Sequence, residues 1–146
     1  MKKIRILCVG KASKQFCRDG IDEYLKRLKS FYEVTTVEIP EQPTLRRECD
    51  ELMRRMMGHE CVLLDIGGEM LTSEGFASLL YDAHARVDEV TFVIGGASGV
   101  DQSVRQMCRR RVSFGAVTYP HQIARLLLCE QLYRAATILY RLPYHK

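Results

Sequence analysis

Three short turns carry the residue types best suited to chemistry. Ile94-Gly95-Gly96-Ala97-Ser98-Gly99 closes one apolar run, Leu64-Asp65-Ile66-Gly67-Gly68 closes another, and Phe114-Gly115-Ala116-Val117-Thr118-Tyr119-Pro120-His121 follows a third. Glycine lets the main chain turn sharply and lets a ligand approach it with no Cβ in the way. Amides exposed at the start of the next helix suit an anion or a carboxylate. The first turn is not G-x-G-x-x-G and no P-loop lysine follows it, so neither nucleotide fingerprint is met. A tight strand-to-helix turn explains it equally well. Asp65 has three readings: a ribose-hydroxyl acceptor, a helix cap or a turn residue. The third stretch is small, apolar and irregular. Its main-chain N–H and C=O groups surround an apolar slot, which suits an adenine ring. His121 is open to three roles, as a base, a phosphate contact or a cap.

The six cysteines, Cys8, Cys17, Cys49, Cys61, Cys108 and Cys129, form no C-x-x-C pair and have no neighbouring His pair. Zinc ligation needs such short spacings, so no metal site is expected. Free thiols acting as small apolar fillers are the simpler reading. The basic start Met1-Lys2-Lys3 resembles a secretory leader, but Arg5 breaks the apolar stretch, which ends at Gly10. No apolar run reaches the ~18 residues of a membrane helix. A cytosolic protein that does not enter the membrane is therefore expected.

The formal net charge of +4 says little by itself. Its distribution says more. The last 42 residues hold Arg105, Arg109, Arg110, Arg111, Arg125, Arg134, Arg141 and Lys146 against Glu130 alone. The arginine fork grips phosphates bidentately and stacks on bases. A one-sided basic segment is the electrostatic footprint of a polyanion partner, although a solvated face of unpaired arginines would carry the same charge.

The elements that must position these residues alternate between strand and helix. At 146 residues, with 47% hydrophobic and 27% charged composition, the chain is one ordinary globular domain, 1–146. Strands are predicted over 4–9, 33–39, 61–66, 90–94 and 112–114. The strand at 61–66 is stopped by Gly67-Gly68. Helices are predicted over 14–29, 44–58, 73–86 (capped by Thr72 or Ser73), 101–110 and 122–141. The strands at 61–66 and 90–94 are apolar without alternation, which marks a parallel sheet covered on both faces. The class is α/β. Ligands of such sheets bind beyond the carboxyl ends of the strands, where the three turns lie.

The last helix is apolar around most of its circumference, from Ile123 to Tyr140, with Glu130, Arg134, Thr137 and Arg141 sharing the remaining stripe. Such a helix is buried on nearly all sides. A subunit contact is expected, the alternative being a central core helix of the monomer. The closing Leu142-Pro143-Tyr144-His145-Lys146 is aromatic and cationic. A terminus usually frays, but this one has the residues to stack on bases and pair phosphates.

Leu64-Asp65-x-x-Gly68, Phe92-Val93-Ile94-Gly95-Gly96-x-x-Gly99, Thr118-Tyr119-Pro120-His121-Gln122, Glu130-Gln131-Leu132-Tyr133-Arg134-Ala135 and Pro143-Tyr144-His145-Lys146 together resemble the RlmH family. Its members are SPOUT-class methyltransferases of bacterial large-subunit ribosomal RNA that use S-adenosyl-L-methionine. The opening Ile6-Leu7-Cys8-Val9-Gly10-Lys11 fits as well, so the resemblance runs the whole length. It implies a SPOUT-type parallel sheet flanked by helices, a C-terminal trefoil knot and a homodimer. No prior from general topology would supply the knot. It also implies a cofactor held against Leu64, Gly95, Phe114, Gly115, Ala116, Val117, Thr118 and Tyr119. The implied reaction is methylation of a pseudouridine at ring nitrogen 3 on the ribosome. His121, Tyr144 and His145 are the candidate bases, and the tail is able to reach a partner's pocket in a dimer. Arg134, Tyr144 and His145 are expected to position the RNA, with no single base indispensable.

Two departures stand out. Glu69 stands where the family usually carries lysine, and the connection between Pro40 and Leu52 is short. Two rival functions fit much of the same sequence. One is a non-catalytic RNA-binding or ribosome-assembly module, which would not bind the cofactor. The other is a SPOUT methyltransferase acting on another RNA, such as tRNA, against which the lack of an added RNA-binding domain argues.

Overall fold

The computed structural model describes residues 1–145. Five parallel strands, β1 (Lys3–Val9), β2 (Glu33–Ile39), β3 (Glu60–Met70), β4 (Glu89–Ile94) and β5 (Arg110–Ser113), form one sheet in the order β2-β1-β4-β3-β5. Five helices connect and follow them: α1 (Gln15–Leu28), α2 (Leu45–Met56), α3 (Ser73–Arg86), α4 (Gln102–Met107) and α5 (His121–Leu139). The predicted elements are all present, with two differences.

The first concerns β3. It continues past Gly67-Gly68 to Met70 because the glycines form a bulge and do not end the strand. Leu64 and Glu69 both register with Val112 of β5, so residues 65–68 loop out between two paired stretches. A Cβ at Gly68 would stand 2.6–2.7 Å from the main chain of Arg111 and Val112, a separation only glycine permits. The second concerns α4, which stops at Met107. Arg109 donates its amide to Cys61 O at 3.0 Å, and the next four residues pair with β3, so the strand edge takes the residues that the helix would have used. Caps explain three helix starts, Thr44 Oγ1 accepting from the Arg47 amide at 3.2 Å at the start of α2. Thr72 Oγ1 accepts from the Gly75 amide at 3.0 Å, and Asp101 Oδ1 from the Val104 amide at 3.2 Å.

Helices cover both faces of the sheet. α1, α3 and α5 bury Ile21, Leu28, Phe76, Leu80, Leu128 and Leu132 against Ile4, Ile6, Val62 and Phe92. α2 and α4 bury Cys49, Leu52, Met56 and Val104 against Leu7, Leu63 and Val93. The non-alternating strands are buried on both sides for this reason.

α5 packs on α1 and on α3. Leu128, Cys129, Leu132, Ala135 and Ala136 are at most 1% exposed. Its apolar circumference is thus largely used inside the chain, the core-helix alternative to a subunit contact. After β5 has paired outside β3, the chain returns into the α1–α3 layer. That path agrees with the threaded C-terminal segment that the resemblance implies. Close to the start of α5, Arg125 is buried and pairs with Glu38 of β2 at 2.7 Å, while its Nε has no partner among the described residues.

α5 ends in a Schellman turn. Leu142 N–H donates to Thr137 O at 2.8 Å and Arg141 N–H to Ile138 O at 3.2 Å. Arg141 holds the left-handed conformation, φ 58°, at the position that glycine usually fills. The turn sends the tail back along α5.

Candidate active site

The three turns lie at the carboxyl end of the sheet, and one of them walls a cavity. A hollow of about 350 Å³ is lined by Met70 and Leu71 after β3, Ser73 of α3, Val112 to Gly115 at the end of β5, Tyr119, and Leu127 and Gln131 of α5. The size lies in the range of small-ligand sites, ~300–1,000 Å³. A larger hollow of about 510 Å³ lies at the strands' amino ends, among Met1, Lys2, Phe31, Tyr32, Asp88 and Tyr140. It holds none of the candidate cofactor-binding or catalytic residues, and parallel sheets place ligands at the opposite end.

The sequence-derived residues divide between the wall and its supports. Phe114, Gly115 and Tyr119 line the cavity. Ser113 fixes this turn: its Oγ donates to Gly115 O at 2.9 Å and accepts from Gly115 N–H at 3.1 Å. Gly115 has φ 123°, and a Cβ there would meet nothing within 4 Å. Ala116, Val117 and Thr118 are exposed just beyond. Among the described residues, the amides of residues 116–119 have no hydrogen-bond partner in the chain. Leu64 packs against the core before the bulge, and Gly95 packs so closely on its own turn that a Cβ there would stand 2.8 Å from Val100 Cγ1. Neither lines the hollow.

Asp65 proves to be a fastener. Its carboxylate is largely buried, accepts from Arg105 Nε at 3.0 Å and from the Gly67 amide at 3.3 Å, and lies 3.5 Å from Arg111. The bulge is pinned to α4 and β5 by these contacts, and Met70, Leu71 and Ser73 follow it into the cavity wall. Glu69, the departure from the usual lysine, pairs with Arg110 at 2.7 Å; that bond holds its carboxyl below the ordinary range.

His121 stands apart. Its Nε2 would lie 3.3 Å from a Cβ on Gly10, next to Glu41, at the end of β1 and away from the cavity lining. Gln122 anchors the turn after β1, accepting from the Lys14 amide and donating to Ser13 Oγ, each at 2.9 Å.

The tail does not fray within the described residues; Lys146 lies outside them. Tyr144 OH donates to Glu130 Oε2 at 2.8 Å and lies 3.3 Å from Tyr24 OH. Its ring packs edge-on against Tyr133 at 4.7 Å, with the Arg134 guanidinium 4.9 Å from its centroid. Burial and the bonds with Tyr24 and Glu130 push the phenol well above its usual range, so it stays protonated. Glu130 also holds Arg134. His145 Nε2 donates to Glu74 Oε1 at 2.6 Å, leaving Nδ1 facing Arg134 Nη1 at 3.4 Å. Glu74 directly follows Ser73, whose hydroxyl donates to Gln131 at 3.1 Å inside the cavity. The tail is thereby placed beside the hollow. Sequence reasoning missed the roles of Glu74, Glu130 and Gln131. Glu130 and Gln131 had two signals, a lone acid in a strongly basic segment and their place in the Glu130-Gln131-Leu132-Tyr133-Arg134-Ala135 motif, whereas Glu74 had none.

The family model described as "Predicted SPOUT methyltransferase" matches residues 1–145. The chain belongs to the SPOUT methyltransferases. Within them its relatives carry the name ribosomal RNA large subunit methyltransferase H. The protein of Desulforamulus reducens is 38% identical over 160 aligned residues, covering 100% of both chains. That of Streptococcus equi subsp. zooepidemicus (strain MGCS10565) is 37% identical over 158, covering 99% of both. This SPOUT methyltransferase also superposes on the tRNA (m1G37) methyltransferase from Aquifex aeolicus with a TM-score of 0.55 at 14% identity, over 97% of this chain and 71% of that one, a likeness of fold. The five-stranded parallel sheet flanked by helices is the SPOUT architecture, and methyl transfer is the family's chemistry.

Proposed function

We propose that this chain methylates a pseudouridine at ring nitrogen 3 of large-subunit (23S) ribosomal RNA, on the assembled ribosome, with S-adenosyl-L-methionine as donor. The observation that carries this reading is the cavity beside the docked tail, in a chain whose full-length relatives bear a ribosomal RNA methyltransferase name. The cavity suits the donor. Phe114, Tyr119, Leu127 and Leu71 offer apolar walls for adenine and the methionine chain, and the open amides of residues 116–119 offer polar contacts without a charged side chain. Leu64, before the bulge of β3, and Gly95, just after β4, lie outside the lining of this cavity. When bound, S-adenosyl-L-methionine supplies an electrophilic methyl group on a sulfonium.

The chain's own work is to hold the ring nitrogen in line and take up its proton. Tyr144 is a donor and stays protonated, so it serves as a support for Glu130. His145 is the best-formed acceptor. Glu74 fixes the tautomer with the proton on Nε2, which makes Nδ1 the acceptor, held by Arg134 Nη1 until a substrate proton displaces that contact. Arg134, gripped by Glu130, faces that nitrogen and is placed to hold a substrate carbonyl or phosphate. His121, lying over Gly10, has no such contact within one protomer.

A homodimer is part of the proposal. Met70 (73% exposed), Val117 (63%) and Ile66 (54%) lie around the bulge and cavity turn without cover in the single chain. Cytoplasmic residence follows from a ribosomal substrate. None of the described helices is long and apolar enough to cross a membrane.

The test is calorimetry with S-adenosyl-L-methionine, followed by single-turnover methylation of unmodified large ribosomal subunits read by mass spectrometry. Binding, and a single methyl on a pseudouridine ring nitrogen 3, are expected. No donor binding would favour the non-catalytic module, and methylation of tRNA alone would favour the other rival. Replacing His145 by alanine is expected to slow the single-turnover rate about 10²–10⁴-fold with RNA affinity retained. A rate close to that of the parent would remove His145 as the proton acceptor and restore the shared role among Arg134, Tyr144 and His145.

A further inference from the structure

Five of the seven arginines in the basic C-terminal segment are tied up in ion pairs, and Arg109 and Arg141 are exposed without one among the described residues. Arg105 and Arg111 meet Asp65, Arg110 meets Glu69, Arg125 is buried against Glu38, and Arg134 is held by Glu130. A different surface keeps its cations. Lys11 and Lys14 on the turn after β1, and Arg18 in α1, are exposed, and none of them forms an ion pair among the described residues. The acids nearby are Asp19, Glu41 and Asp22, the last exposed one turn on from Arg18 in α1. Asp19 accepts from the Gln15 amide group at 2.6 Å, and Glu41 sits across Gly10 beside His121. Phe16 stands among these cations 64% exposed, while the buried face of α1 is made by Cys17, Ile21 and Leu28. Packing within the chain gives that ring no purpose.

Its location is informative. The turn after β1 lies at the same end of the sheet as the cavity. Gln122 ties it to the start of α5 through Ser13 and the Lys14 amide. From the cavity wall at Tyr119, the chain leads through Pro120 and His121 to Gln122, which holds the Lys14 amide two residues before Phe16.

We propose that this surface docks the substrate RNA, with Lys11, Lys14 and Arg18 on phosphates and Phe16 stacked on an unpaired base. The inference rests on the functional reading above and adds where the RNA lies. The chemistry favours RNA over a protein partner. Protein interfaces are depleted in lysine around their aromatic anchors. Cations flanking an exposed aromatic ring are how proteins hold looped or single-stranded RNA, through backbone charge and base stacking.

The experiment measures binding of the full chain to unmodified large ribosomal subunits and to protein-free large-subunit ribosomal RNA across a salt series. The variants are Lys11→Ala/Lys14→Ala, Phe16→Ala and Phe16→Trp. All of these side chains are exposed, so each variant is expected to melt with the parent. The double lysine variant is expected to bind more weakly and to lower the slope of log affinity against log salt by about 1–2. Phe16→Ala is expected to weaken binding about five- to 150-fold with the slope unchanged, and Phe16→Trp to restore it. Variants that bind both probes like the parent overturn the proposal. So does a loss confined to subunits, which would point to a ribosomal protein, and so does a parent chain that binds neither probe. A parent that methylates subunits alongside equally active variants removes the docking surface alone. Impaired RNA binding by the variants of a parent that transfers no methyl group leaves the surface standing and removes the functional reading.

Discussion

Arg141 shows how one residue places several others. It is the only described residue other than glycine at positive φ, and it closes the turn that returns Tyr144 to Glu130. A left-handed conformation costs an L-residue with a Cβ about 1–2 kcal/mol relative to its preferred wells. Arg141→Gly is therefore expected to leave stability unchanged or raise it by up to about 1 kcal/mol, with the tail still docked. Urea unfolding checks this, and a loss above about 1 kcal/mol would mean that the arginine side chain itself holds the turn. Asp65 makes the same point from the sequence side. Of its three readings the turn residue holds, through the Gly67 amide, but none included its charge partners, Arg105 and Arg111, which lie 40 and 46 positions later. Nothing in the sequence spacing announces such a long-range ion pair.

At the scale of elements, the bulge in β3 is the part that local pattern could not supply. The strands, four of the five helix spans and the α/β class were legible because apolar runs, caps and glycine stops are local signals. Gly67-Gly68 looked like a stop because two glycines weaken a strand. Here they let it loop out and pair again with β5 through Glu69 and Met70. The same tertiary pairing shortened α4. The cavity wall at Phe114, Gly115 and Tyr119 was legible from composition, whereas Ser73, Leu127 and Gln131 reach it only through helix packing. Gly68→Ala is expected to destabilise the protein by at least about 2 kcal/mol, because the contact is with rigid main chain. Asp65→Asn, which keeps the shape and removes the charge, is expected to lose about 1–2 kcal/mol and to weaken donor binding, since the bulge leads into the wall. Chemical denaturation and calorimetry on the two variants measure both effects. Unchanged stability in Gly68→Ala would mean that the strands separate there at little cost.

For the whole molecule, the buried titratable groups define a pH window. Burial, opposed by the bond to Lys3 O, lowers the His84 pKa below its ordinary 6.5, so its contribution is present above 6.5 and lost as pH falls through the lowered value. Burial pushes Cys8 and Cys61 up to about 11, and Cys108 and Cys129 to about 12, from an ordinary 9.0. Their contribution is present below 9.0 and is lost as pH rises through those values. The melting temperature is expected to plateau between these limits and to fall on both sides, with His84→Gln flattening the acid side. A scan of thermal unfolding against pH decides it, and a maximum outside the plateau would contradict the assignment.

The layering of the helices also governs how the molecule is born. α5 lies against both α1 and α3, so the first helix to leave the ribosome waits for the last one to complete its cover. A nascent chain stalled before residue 121 holds a sheet with one face half bare and Ile21, Leu28 and Phe76 short of neighbours. Premature termination anywhere upstream of α5 should therefore yield chaperone-bound or degraded polypeptide, and never a folded but inactive fragment.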